Sequence, residues 1–194
     1  PYCTDYICLT RQKTKYILST FDFNADKSGQ DMMASLLHAA DRGVSVRILV
    51  DGISGFLDVK RNSWFQALAS TRKRIHFAIY ILINLLKPWN LQARMHDKYV
   101  IVDQKMYLLG GRNTTNLFLG DYSRSKNIDR ELFVYETAEN DSSSIRQLTD
   151  YFESVWALSD SKEYTCKKMT KKIQSCKAKL ENRYTSLKEK YPDA

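Results

Sequence analysis

The stretch from Met95 to Asn113 constrains this chain most, because two apolar runs lie back to back and polar residues of different chemistry gather at one end of both. Tyr99-Val100-Ile101-Val102 has the composition of a buried strand, and Met106 to Leu109 forms a second. Asp103-Gln104-Lys105 is short enough to join them as a hairpin. His96 and Lys98 stand two apart at the start of the first strand, so an extended backbone puts them on the same face. Gly110-Gly111 ends the second strand and returns Arg112 and Asn113 to that end, because hairpin strands run antiparallel. An imidazole, an ammonium and a carboxamide converge.

That set suits a phosphodiester. Water attacks such a group slowly because its anionic oxygens repel nucleophiles and its leaving alkoxide is poor. A neutral imidazole can attack instead, and a carboxylate on its other ring nitrogen would fix the tautomer and stabilise the developing charge. Lys98 and Asn113 offer donors where transition-state charge grows on the non-bridging oxygens. No carboxylate set with metal-ligand spacing surrounds them, so the expected mechanism uses neither metal nor cofactor.

The rest of the chain reads as alternating strands and helices. A strand over residues 16–23, a helix over 31–42 stopped by Gly43 and a strand over 44–50 predict a parallel pair with a crossover. A short helix over 63–70, strands over 75–79 and 132–135 and an amphipathic helix over 144–158 complete the body. Residues 117–127 read as a loop at the site. The expected fold is α/β: a mixed, mainly parallel sheet flanked by helices over residues 1–159, then a helical or linker tail over 160–194. Residues 1–15 suit the remains of a helix. Residues 81–89 suit a buried connection, or less well a lipid-facing loop presenting Trp89. His38, within the 31–42 helix, reads as structural, and His76 has no phosphate-binding neighbours at useful spacing.

Charge is local. Residues 161–194 hold ten Lys or Arg and four Asp or Glu, which is +6 of the total +8, and leave the body nearly neutral. A nucleic-acid-tracking surface is therefore not indicated for the body. The longest apolar run, residues 77–86, is far short of the roughly 20 residues that cross a bilayer. The chain as it stands is expected to be soluble, with an anchor cut away as the alternative. The four cysteines, Cys3, Cys8, Cys166 and Cys176, include no CxxC. A bridge between the chain ends and four free thiols both remain open. Cys166 and Cys176, if on one helix, would be about 15 Å apart and too distant to join.

The spacing HxKxxxxD, six residues, then GGxN resembles the signature of the phospholipase D superfamily, with His96, Lys98, Asp103, Gly110, Gly111 and Asn113 in register. Residues 19–52 are similar to the first half of bacterial cardiolipin-synthase-like proteins, which carry two such halves. The resemblance implies that His96 attacks phosphorus to give a phosphohistidine while Lys98 and Asn113 hold the phosphate. It implies that Asp129, in Asn127-Ile128-Asp129 where the family has NxE, orients His96, with a carboxylate one methylene shorter than usual. It gives Asp103, Gly110 and Gly111 supporting roles, Asp103 away from the phosphate. It also implies a phospholipid substrate and a bacterial, membrane-associated full-length protein. The partner is then a second motif-bearing half or a homodimer copy.

Three functions compete. The first is a phospholipid hydrolase or phosphatidyltransferase half. The second is a homodimeric nuclease of the same superfamily, with the Lys-rich tail on nucleic acid. The third is a non-catalytic module that binds phosphate or a membrane surface, against which the intact His96, Lys98 and Asn113 argue.

Overall fold

In the computed structural model the described residues are 14–52, 59, 61–71, 74–81, 94–137 and 142–190. Strand β1 (Lys15–Thr20), helix α1 (Lys27–Asp41), strand β2 (Ser45–Asp51), helix α2 (Ser63–Thr71) and strand β3 (Ile75–Tyr80) form two consecutive crossovers. The hairpin of β4 (Tyr99–Val102) and β5 (Met106–Gly110) follows, then β6 (Glu131–Tyr135), α3 (Ser144–Trp156), β7 (Ser161–Glu163) and α4 (Lys171–Lys190). All seven strands join one sheet in the order β6-β5-β4-β1-β2-β3-β7.

The α/β class and the mixed sheet are as expected, but the sheet is not mainly parallel. Parallel pairing is confined to β1 with β2 and β2 with β3. The pairs β1–β4, β4–β5, β5–β6 and β3–β7 are antiparallel. The reason is local: the hairpin enters beside β1 pointing the other way, and β6 and β7 then join the two edges of the sheet antiparallel to β5 and β3.

Side-chain alternation assigns each strand residue to one of two layers. Tyr16 and Leu18 of β1 with Val46, Ile48 and Val50 of β2 pack under α1, α2 and Leu180 of α4. Ile17, Leu49, Ala78, Tyr99, Ile101 and Tyr107 face the other way, against Ile145 and Phe152 of α3. Arg47 shares that second face, 2.5 Å from Glu153 of α3 and stacked over Trp156. The Asp26 side chain caps α1 by accepting from the Gly29 amide at 3.0 Å.

The hairpin turn is tight. Asp103 and Gln104 both have positive φ, 51° and 56°, the backbone of a two-residue turn that matches strand twist and that Asp tolerates better than most residues. One carboxylate oxygen of Asp103 accepts from the Thr14 amide, the Thr14 hydroxyl and the Lys15 amide. Asp103 thus clamps the start of β1 at the end of the sheet remote from His96.

Beyond residue 160 the chain folds onto the body. β7 extends the sheet beside β3, and α4 buries Ile173, Cys176, Leu180 and Leu187 across α1 and α2. Arg183 of α4 meets Asp31 of α1 at 2.5 Å, and Tyr184 stacks on His38 at 3.7 Å between ring centroids. Cys166 lies ahead of α4 and both it and Cys176 are free thiols; Cys3 and Cys8, residues 1–13 of the helix expected over 1–15 and most of the 81–89 segment lie outside the described residues, while Lys15 opens β1 instead of ending a helix. Among the described residues no helix is long and apolar enough to cross a membrane.

Leu180 is fully buried in the main core, so Leu180→Ala should cost about 2–5 kcal/mol of stability, read as a lower midpoint in urea unfolding. A loss below about 1 kcal/mol would show that α4 lies outside the cooperative unit.

Candidate active site

The site lies where β1 and β2 end and β4 begins, the edge at which open α/β sheets bind ligands. Residues 94–98 are extended and lead into β4. Alternation sends Met95 inward, its sulfur 3.7 Å from the Ser19 hydroxyl, and sends Asp97 to accept from the Tyr151 hydroxyl at 2.7 Å. Arg94, His96 and Lys98 share the opposite side. His96 is exposed. The Lys98 ammonium is 3.2 Å from each of its ring nitrogens and donates to the His96 carbonyl at 2.9 Å. Equal distances to both nitrogens place the ammonium over the ring rather than along the lone pair of either one, so the tautomer decides which nitrogen is free to act as a nucleophile.

Lys98 is 7% exposed. Desolvation is the main cause that moves its pKa below the usual lysine value, and the carboxylates of Asp97 and Asp129 oppose the shift. The folded state therefore holds this proton less tightly than the unfolded chain does. The resulting stability cost is present in full below the folded pKa and fades as pH rises from there to the ordinary lysine range.

Asn113 arrives from β5. The segment after β5 pairs with the segment after β1: the Thr114 amide donates to the Asp22 carbonyl at 3.0 Å, and the Asn24 amide to the Thr114 carbonyl at 3.2 Å. The Asn113 side-chain oxygen accepts from the Asp22 amide at 3.3 Å, which identifies that end of the carboxamide as the acceptor and leaves the NH2 group as donor. The loop that follows is tied down as well, because the Asn116 amide donates to Asp26 and its side-chain oxygen accepts from the Ser28 amide.

The two glycines permit close approach. A Cβ on Gly110 would fall 2.5 Å from Glu131 Cγ, and one on Gly111 would fall 1.9 Å from Asp129 Oδ2. The Asp129 carboxylate therefore hangs over Gly111, near enough to act on Lys98. It accepts from the Arg130 amide at 2.8 Å, and among the described residues no hydrogen bond joins it to His96. Arg112 forms an ion pair with Glu131 beside it. Below them a small cleft is lined by Ser19, Thr20, Lys98, Arg112, Thr114 and Glu131, among others.

The structure thus gathers Lys98 beside His96, brings Asp129 over Gly111 and sets Asn113 at the end of β1. It leaves Asp103 at the far end of the hairpin. His76 sits toward the opposite end of the sheet, opposite Arg47, and His38 is on α1 against Tyr184. Three neighbours went unremarked in the sequence. Phe21 follows β1, Asp51 ends β2, and Arg94 stands two before His96 as Lys98 stands two after. Arg94 donates to Asp51 at 2.5 and 3.0 Å. The signal for Arg94 was the same alternation that pairs His96 with Lys98.

Comparison with known proteins agrees with this fold. The family model described as "Cardiolipin synthase, PLD-like domain" matches residues 7–156. Cardiolipin synthase B of Salmonella typhi is 31% identical over 125 residues, which cover 62% of this chain and 29% of that protein. Cardiolipin synthase C of Escherichia coli K12 is 34% identical over 106 residues, covering 49% of this chain and 21% of that protein. The chain thus matches less than a third of the length of these relatives. In fold it is similar to Nuc, a phospholipase D family member from Salmonella typhimurium, with TM-score 0.57 and 18% identity over 82% of this chain and 88% of that one. It is also similar to the phosphatidylserine synthase of Haemophilus influenzae, with TM-score 0.63 and 11% identity over 97% of this chain and 41% of that one. A match over most of the chain, on the fold and motif described above, makes this protein a member of the phospholipase D-like family of cardiolipin synthase domains.

Proposed function

We propose that this chain is one half of a metal-independent phosphodiesterase or phosphatidyltransferase that acts on phospholipids through a phosphohistidine at His96. The observation that carries the reading is the exposed imidazole held against the desolvated ammonium of Lys98 at the ligand-binding edge of the sheet. In the first step a His96 ring nitrogen bonds to phosphorus and the bond to the leaving alkoxide breaks, the alkoxide taking a proton from an acid. In the second an alcohol or water bonds to phosphorus, the bond to His96 breaks, and the acceptor's proton returns to that group. Lys98 and the Asn113 NH2 group stabilise charge on the non-bridging oxygens in both steps. The Asp129 carboxylate orients His96 once substrate draws the ammonium away from the ring. The lipid assignment is supported by the named relatives; alcohol transfer and hydrolysis differ only in the acceptor.

Attack and departure are in line, so the acid stands across the phosphorus from His96. Neither His38 nor His76 borders the site. A second motif histidine, from another half of a longer chain or from a second copy, fills the role. The sheet edge supports this reading. On β5 and β6, Leu109 and its cross-strand partner Leu132 are exposed, as are Phe133 and Tyr135, and Ile128 just before β6 is 98% exposed. An apolar edge strand beside the site is a surface that a partner would cover.

His96→Ala should abolish turnover of an anionic phospholipid by the assembled enzyme, and Asn113→Ala should lower it about 100- to 1,000-fold, with circular dichroism spectra unchanged and chelators without effect. Loss of wild-type activity in chelator, regained with a divalent ion, would contradict the metal-independent reading. Rapid DNA cleavage with no lipid turnover would favour the nuclease instead.

For this chain alone, sedimentation and turnover across a dilution series should fall together, because a monomer lacks the acid. A strictly monomeric species with full turnover per site would require an acid from within residues 1–194.

A further inference from the structure

Phe21 lies directly after β1, and three groups of the site border its one ring. The His96 imidazole stands 4.4 Å away between centroids in an edge arrangement at 62°. Lys98 Nζ is 5.1 Å from the centroid and Arg94 Cζ 4.3 Å. Two cations against one ring repel each other, and that arrangement is tolerable here for two reasons. The ring's quadrupole attracts both, and Asp51, 2% exposed at the end of β2, neutralises Arg94 through two hydrogen bonds to one oxygen. The Arg94–Asp51 pair therefore grips the ring as a nearly neutral clamp and leaves its remaining surface to His96 and Lys98.

Apart from the ring, Lys98 Nζ is held by the His96 carbonyl at 2.9 Å, a group on the same extended segment. The imidazole is exposed, and its ring nitrogens have Lys98 as their hydrogen-bond partner among the described residues. Lysine has four rotatable bonds, and this one faces Asp97 on its own segment, Asp129 ahead of β6, and Arg112 and Glu131 across the cleft. Any of the three carboxylates could draw the ammonium aside. Phe21 is the uncharged wall against which both groups rest.

We propose that Phe21 is a positioning residue of the active site: its ring, clamped by Arg94 and Asp51, sets where the His96 imidazole and the Lys98 ammonium stand relative to each other. The proposal rests on the reading of His96 and Lys98 as the reacting pair. A wall that only fills space would be replaced by any apolar side chain of similar volume, whereas a π face for two cations would not.

The test compares Phe21→Leu, Phe21→Tyr and the near-isosteric replacement of Phe21 by 3,5-difluorophenylalanine, which withdraws charge from the ring face. The readouts are the Lys98 side-chain titration by NMR and the affinity for inorganic phosphate, both measured on this chain without turnover. Phe21→Leu and the difluoro variant should weaken proton binding at Lys98 and phosphate binding about 3- to 10-fold, and Phe21→Tyr should restore both. An unchanged Lys98 titration and phosphate affinity in Phe21→Leu would overturn the proposal; if Phe21→Leu does not fold, the same result in the difluoro variant would do so. Persistence of turnover in His96→Ala would instead remove the reading beneath it, so the two failures are distinguishable.

Discussion

The position of β4 between two antiparallel partners is the constraint on which the rest of the site depends. Its ladder with β1 sets Tyr99 opposite Ser19, and its ladder with β5 sets Tyr99 opposite Leu109. One row of the sheet therefore fixes where three segments emerge: residues 94–98 before β4, residues 21–24 after β1 and residues 111–115 after β5. A slip of one residue in either ladder would turn His96 and Lys98 to the other face. Asp103 guards against it from the far end, where one carboxylate oxygen ties the hairpin turn to the first residues of β1. A residue of the motif thus holds the hairpin in register without approaching His96.

Charge at the site is arranged by burial as much as by pairing. Asp51 is buried and needs a cation, which Arg94 supplies; Arg94 in turn needs only part of its surface for Asp51 and lays the rest on Phe21. Lys98 is buried without a carboxylate in hydrogen-bond contact among the described residues, and desolvation weakens its hold on its proton. An arriving phosphodiester would relieve that cost by supplying the missing anion. On the proposed reading, the ammonium would then be placed where charge builds on the non-bridging oxygens.

Much of this was legible in the sequence because it rests on period-two patterns and short loops. The hairpin, the pairing of His96 with Lys98 on one face and the return of Asn113 follow from residues close in the chain. Strand direction was not legible: β6 is apolar enough to be read as a strand but nothing in it says which neighbour it will join, and β7, three polar residues long, carries no strand pattern at all. The docking of the tail was not legible either. Ile173, Leu180 and Leu187 recur every seven residues with Cys176 between the first two, a stripe wide enough to dock α4, but the lysines around it mask the pattern. Phe21 and Asp51 were out of reach for another reason. They are brought to His96 by β-ladders across more than 40 residues of chain, and no local rule relates them.

The central claim is that phosphorus is transferred twice, first to His96 and then to the acceptor. The stereochemical course at a phosphorus made chiral by isotopic substitution tests it most directly, with the assembled enzyme and a phosphodiester substrate. Each in-line displacement inverts configuration, so two displacements through a covalent intermediate predict net retention. Net inversion would mean that the acceptor attacks the substrate directly, and would contradict the account.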